Sequence, residues 1–119
     1  MVSNEEETLL GIVTDARLRE AKIVQVAEIY ESMGEYDKAI EEYKAGEKEF
    51  GNTSKDLYIG HLTLLCKMEA EEDSDVENWN ADTIISVYDS GNQIDDIDSD
   101  YRWKQLIQRL TPLFDKMGR

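Results

Sequence analysis

The stretch EAKIVQVAEIYESMGEYDKAIEEYKAGEKEFGNT, residues 20–53, decides the fold. Ile23, Val26, Ala27 and Tyr30 recur at i, i+3, i+4 and i+7, the spacing that lines one face of a helix. Met33 and Gly34 end that helix, because glycine takes the left-handed backbone of a helix C′ position without steric cost. Asp37 is a natural cap for a return helix over about 37–50. Its inward stripe is Ala39, Ile40, Tyr43 and Gly46, closing at Phe50 and Gly51, while Glu41, Glu42, Lys44, Glu47 and Lys48 face water. Small residues stand where two helices must approach, and bulky ones fill the space beside them. Such a hairpin hides only one of its two apolar sides internally, so it must stack on something else.

Working outward, the segment before the hairpin holds Ser3 or Asn4 as a cap, Glu5, Glu6 and Glu7 near the positive end of a helix, and an apolar cluster at Leu9, Leu10, Ile12 and Val13 broken by Gly11. Residues 1–14 therefore read as a short helix or an arm packed on the next element. Asp15 then caps a helix over 16–33. After the hairpin, Ser54 opens a helix over about 55–71 whose middle, from Leu57 to Met68, is apolar almost all round. A helix apolar on every side is normally buried on every side, which makes this the central helix of the domain.

Residues 69–77 form a strongly acidic linker. Asn78 or Asn80 caps a helix over about 80–90, with Ala81, Ile84, Ile85 and Tyr88 inward, and Ser90, Gly91 and Asn92 end it. Asp95, Asp96, Asp98 and Asp100 make a second acidic connection. The last helix, over about 99–117, places Trp103, Leu106, Ile107, Leu110, Phe114 and Met117 on one stripe. Pro112 falls inside it, so either the helix kinks or Thr111 caps a new turn with Pro112 at its first position.

The 119 residues suit one domain with a modest core. Against 13 basic residues stand 27 acidic ones, a net charge of −14. That excess repels nucleic-acid phosphates and anionic membranes, and favours either a basic partner or simple solubility. The charge is uneven. Residues 101–119 hold five cations against Asp115 alone, a balance of +4, which leaves −18 on the first hundred. The terminal helix is therefore drawn electrostatically to the body on which it packs. A single cysteine, Cys66, excludes an internal disulfide, and one histidine, His61, is too few to build a structural zinc site with it. No apolar run approaches the ~20 residues of a membrane span, and the acidic N-terminus is unlike a signal peptide. A cytoplasmic setting follows as the expectation.

The order of residues over 20–53 resembles a tetratricopeptide repeat, a helix–turn–helix unit of ~34 residues. Ile23 stands where that family often has Trp, and Gly51 where it often has Pro. Residues 54–90 resemble a second, degenerate copy: Leu57, Gly60 and Leu64 fit first-helix positions, while His61 occupies one that usually wants Gly or Ala. Ala81, Ile85 and Tyr88 fit the second helix after an insertion, the acidic linker. A register one residue later, with Tyr58, Leu62 and Leu65, fits nearly as well. The final amphipathic helix over 99–117 is similar to the extra helix that closes such arrays. The resemblance implies an all-α, tetratricopeptide-like stack of antiparallel helix hairpins, of five to six helices, in a domain over 15–119 that binds other proteins. The repeat count also fits one module of a longer polypeptide, such as a bacterial signalling protein.

In that family the first helices line a concave groove, which implies groove positions at Ala21, Val24, Glu28, Glu31 and Ser32, then Lys55, Tyr58, Leu62, Leu65 and Cys66. The family's clamp for a chaperone's terminal carboxylate needs cationic or amide donors where Glu28 and Glu31 stand, so such a ligand is repelled. A groove that is apolar on one side and acidic on the other suits a basic or apolar protein segment. The alternative is that Tyr58, Leu62 and Leu65 are covered core, and that the chain has an assembly role, docking on another domain or a second copy of itself. Catalysis is not expected, and no cofactor or metal is implied. His61 and Cys66 lie about 140° apart around a helix at ~3.6 residues per turn, so they form no dyad. Asp73, Asp75 and Glu77, like Asp96, Asp98 and Asp100, alternate as calcium ligands do but lack the Gly and Glu a calcium loop requires.

Overall fold

The computed structural model describes the backbone from Asn4 onward and the side chains from Asp15 onward, apart from that of Asn52. Five α-helices follow one another: α1 (Asn4–Ser32), α2 (Tyr36–Phe50), α3 (Lys55–Glu72), α4 (Ala81–Gly91) and α5 (Tyr101–Lys116). Short 3-10 turns at Gly51–Thr53, Val76–Asn78 and Ile97–Ser99 join them. α1 packs on α2, α2 on α3 and α3 on α4 as antiparallel neighbours, while α5 returns to α3 and to the turns on either side of α4. The chain is all-α.

α1 is longer than the sequence reading expected. It runs unbroken from Asn4, so Asp15 lies inside the helix and caps nothing. Gly11 costs a helix interior about 1 kcal/mol, too little to end it where helix continues on both sides. The hairpin turn falls where the sequence puts it. Gly34 has φ 77°, and the Glu35 amide reaches back to the Tyr30 carbonyl at 2.9 Å, the bond that closes a helix through a left-handed residue. Asp37, expected as the cap of the return helix, sits instead in its first turn, with Glu35 at the cap position. There its carboxylate still faces the positive end of the helix.

Two apolar clusters meet on α3. On one side Leu57 and Leu64 join Ala27, Ala39 and Tyr43 of the first hairpin. On the other, Tyr58, Leu62, Leu65 and Cys66 join Trp79, Ile84, Val87, Ile94, Ile97 and the α5 stripe. This is the central helix that an all-round apolar sequence demands. Gly46 lets the three helices close up: a Cβ there would lie 2.9 Å from the Leu57 side chain and 3.1 Å from that of Ile23.

The connections are more than solvated acid. Trp79 and Ile97 are almost completely buried, and the Trp79 indole N–H donates to the Asp73 carbonyl at 2.7 Å. The guanidinium of Arg109 lies 5.0 Å over the Trp79 ring, a cation–π contact that ties the first linker to α5. Ser54 and Asn80 cap α3 and α4, each accepting a backbone N–H in its first turn. Asp100 does the same for α5.

α5 continues through Pro112 as one helix, with Pro112 on its exposed side. Its buried stripe is Trp103, Leu106, Leu110, Leu113 and Phe114; Met117, expected inward, is 48% exposed at the helix end. The attraction between the basic terminal helix and the acidic body takes specific form. Arg102 bonds Asp56 at 2.7 Å, Arg119 pairs with Asp89, and the Lys116 ammonium donates to the Glu77 carbonyl.

Candidate functional site

The first, third and fifth helices converge on one groove of about 300 Å³. α1 contributes Val24, Glu28 and Glu31. α3 contributes Asp56, Ile59, Gly60 and Thr63, Arg102 enters from α5, and Tyr43 of α2 reaches the floor from behind. The α1 wall follows from helical spacing, since Val24, Glu28 and Glu31 recur at i, i+4 and i+7 beside the buried stripe that holds Ala27. On α3, Asp56, Gly60, Thr63 and Lys67 recur at i, i+4, i+7 and i+11. They form the open line along the mostly buried middle of α3, and the groove opens over it.

Three of the six expected groove residues, Val24, Glu28 and Glu31, are therefore brought together at the surface. The others are not. Leu62 has no exposure, and Tyr58 and Leu65 retain only 7% each. They point from α3 into the cluster shared with α4 and α5. Cys66, also expected in the groove, is fully buried there, while Lys55 stands near Asp100 at 3.9 Å. The physical reason is that α3 is covered on two sides, so its apolar residues belong to the interior and its few polar ones mark the open face. Asp56, Gly60, Thr63 and Arg102 were not among the groove positions expected from the sequence, although the spacing of the α3 residues was there to be found.

The groove is acidic rather than apolar. Three carboxylates line it against one guanidinium, and that guanidinium is held by Asp56 at 2.7 Å and Asp100 at 3.0 Å. Lys67 reaches Glu31 from the rim at 3.4 Å. Glu28 makes no ion pair among the described residues. The phenol of Tyr43 registers this field: burial first, then the charges of Glu31 and Glu28, push its pKa up to about 12. The ring of Tyr43 lies against Gly60, where a Cβ would come 2.7 Å from it. The missing side chain of Gly60 thus makes room for the Tyr43 ring beneath the groove floor.

His61 and Cys66 are both buried. Burial raises the Cys66 thiol to about 11, so it is no nucleophile at neutral pH. The His61 ring stacks on Tyr43 at 5.8 Å, and its Nδ1 lies 2.7 Å from the Glu47 carboxylate. Among the described residues, no group of three or more His, Cys, Asp and Glu is placed to hold a metal ion, and no helix is long and apolar enough to cross a membrane.

Comparison with known proteins gives no match: no family model, no curated protein and no solved structure matches this chain.

Proposed function

We propose that the chain is a non-enzymatic protein-interaction module, a tetratricopeptide-like pair of hairpins closed by α5, whose groove receives a basic, extended protein segment. The observation that carries this reading is the convergence of α1, α3 and α5 on one acidic groove. In a stack of helix pairs the first member of each pair faces the concave side, and the odd-numbered helices here share a face. The antiparallel contacts of successive helices agree with that arrangement. Glu28, which makes no ion pair among the described residues, supplies a counter-charge for Lys or Arg. The apolar half of the sequence expectation loses its support, because Tyr58, Leu62 and Leu65 are interior.

The test is an array of extended peptides, basic and charge-reversed, read by fluorescence anisotropy at two ionic strengths. Basic peptides bind, salt weakens them, and Glu28→Lys with Glu31→Lys removes the binding. If no peptide binds, or if the double variant binds basic peptides as well as the parent, the groove is not the site.

A second reading, assembly by docking on another domain or a second copy, draws on a different surface. Leu18 and Ile29, 63% and 53% exposed, fall on the side of α1 turned away from Ala27, and Met33, just past the helix end, is 62% exposed. Sedimentation over a range of concentrations separates the two readings: self-association lost in Ile29→Glu favours assembly, and a strict monomer disfavours association with a second copy.

A further inference from the structure

On the other side of α3 from the groove lies a second cleft, of about 420 Å³, between α2, α3 and α4. Lys44 and Glu47 line it from α2, Tyr58 and His61 from α3, and Asp82, Thr83, Ser86, Val87 and Ser90 from α4. Two independent features mark it as built for a polar guest. The first is His61, which is 2% exposed and lines the cleft while its Nε2 has no hydrogen-bond partner among the described residues. A carboxylate only accepts, so Nδ1 turns its proton to Glu47 at 2.7 Å, and in that tautomer of the ring Nε2 is the lone-pair nitrogen. Buried polar atoms are ordinarily satisfied, and among the described residues nothing satisfies this one.

The second feature is on α4. Thr83, Ser86 and Ser90 recur at i, i+3 and i+7, so one helix face presents three hydroxyls to the cleft. Thr63 and Thr111 turn their hydroxyls back onto helix carbonyls four residues earlier. Thr83, Ser86 and Ser90 make no such side-chain bond among the described residues, which leaves their oxygens for another donor.

We infer that this cleft binds a small molecule bearing a primary ammonium group, whose N–H donors are taken by His61 Nε2, by the carboxylates of Glu47 and Asp82, and by the α4 hydroxyls. The chemistry selects that class. An anion meets two carboxylates against Lys44 alone. An apolar guest leaves Nε2 and the hydroxyls without partners, at the desolvation cost of each. An ammonium group has three N–H donors and a positive charge, and every acceptor it needs lines the cleft. The inference is independent of the groove on the opposite side of α3.

The test titrates the full chain with ethanolamine, using choline (the same charge with no N–H) and ethylene glycol (no charge) as controls, and follows the imidazole nitrogen resonances of His61 and the amides of residues 83–90 by NMR. Ethanolamine moves the Nε2 resonance and those amides, and both controls are weaker by about tenfold or more, as the loss of charged hydrogen bonds requires. Ser86→Val, at an exposed position outside both apolar clusters, and Glu47→Gln each weaken ethanolamine by about tenfold as well. The inference is overturned if the Nε2 resonance ignores all three probes, which would leave it to water alone. It is equally overturned if choline acts as well as ethanolamine, or if Ser86→Val changes nothing.

Discussion

The buried indole of Trp103 occupies the space that a side chain at residue 91 would need: a Cβ on Gly91 would lie 2.6 Å from the ring's Cη2 atom. Trp103 has no exposure, stacks on Tyr88 at 6.0 Å, and donates from its indole N–H to the Asn92 side-chain oxygen at 3.2 Å. The ring is thus fixed on three sides and cannot yield. Gly91→Ala is expected to cost ~1–3 kcal/mol through overpacking, and Trp103→Ala ~3–5 kcal/mol through the cavity it leaves. Urea denaturation measures both. A Gly91→Ala protein as stable as the parent would mean that α4 and α5 are not in this contact.

Ala39 makes the matching case in the first hairpin. It has no exposure and sits with Ala27 and Tyr43 in the cluster that joins α1, α2 and α3. Ala39→Leu is expected to lose ~1–3 kcal/mol, seen as a lower denaturation midpoint with an unchanged slope. Substitution without effect would place α2 farther from α1 than described.

Ser54 links the two hairpins at one atom. Its hydroxyl donates to the Glu20 carboxylate at 2.7 Å and accepts the Leu57 amide at 3.4 Å, and the residue is 1% exposed. Ser54→Ala removes the cap of α3 and the anchor to α1 together, with an expected loss of ~0.5–2 kcal/mol. Ser54→Thr keeps both bonds and retains more of the stability than Ala; the reverse order would show that neither bond matters.

Tyr43 carries a pH signature. Its folded pKa, about 12, is above the ordinary 10.0, so the folded chain holds the phenolic proton more tightly than the unfolded one. The sign follows: below pH 10 this group takes nothing from stability, and between pH 10 and about pH 12 the unfolded state gains as its tyrosine ionises. Parent stability therefore falls more steeply over that window than that of Tyr43→Phe. Glu28→Gln with Glu31→Gln brings the phenol's titration, followed by ultraviolet absorbance, down toward its ordinary value. Parallel stability curves for parent and Tyr43→Phe would mean that folding does not hold the Tyr43 phenol above its ordinary value.

What the sequence made legible was periodic. The stripe Ile23, Val26, Ala27 and Tyr30, the turn at Gly34, and the all-round apolar character of α3 each rest on several residues that agree, and they locate the hairpin and the central helix. What escaped was isolated or symmetric. Trp79, Ile94 and Ile97 are single apolar residues within acidic stretches, with no repeat to betray that they are buried. Asp15 has the chemistry of a cap, but a cap needs a break in the chain beside it, and α1 has none there. The face of α3 could not be fixed from its apolar residues, because they surround the axis. Tyr58, Leu62 and Leu65 were as plausible an outward line as any. The polar minority, Asp56, Gly60, Thr63 and Lys67, carries the information instead. On a helix that is mostly interior, the exceptions point to water.

Because α3 belongs to both apolar clusters, neither hairpin can open without stripping one flank of a helix that the other still needs. A linear array frays from its ends, one unit at a time. Here the shared rod couples the two halves, so deuterium replaces the amide protons of α3 last, and loss of either half brings down the whole.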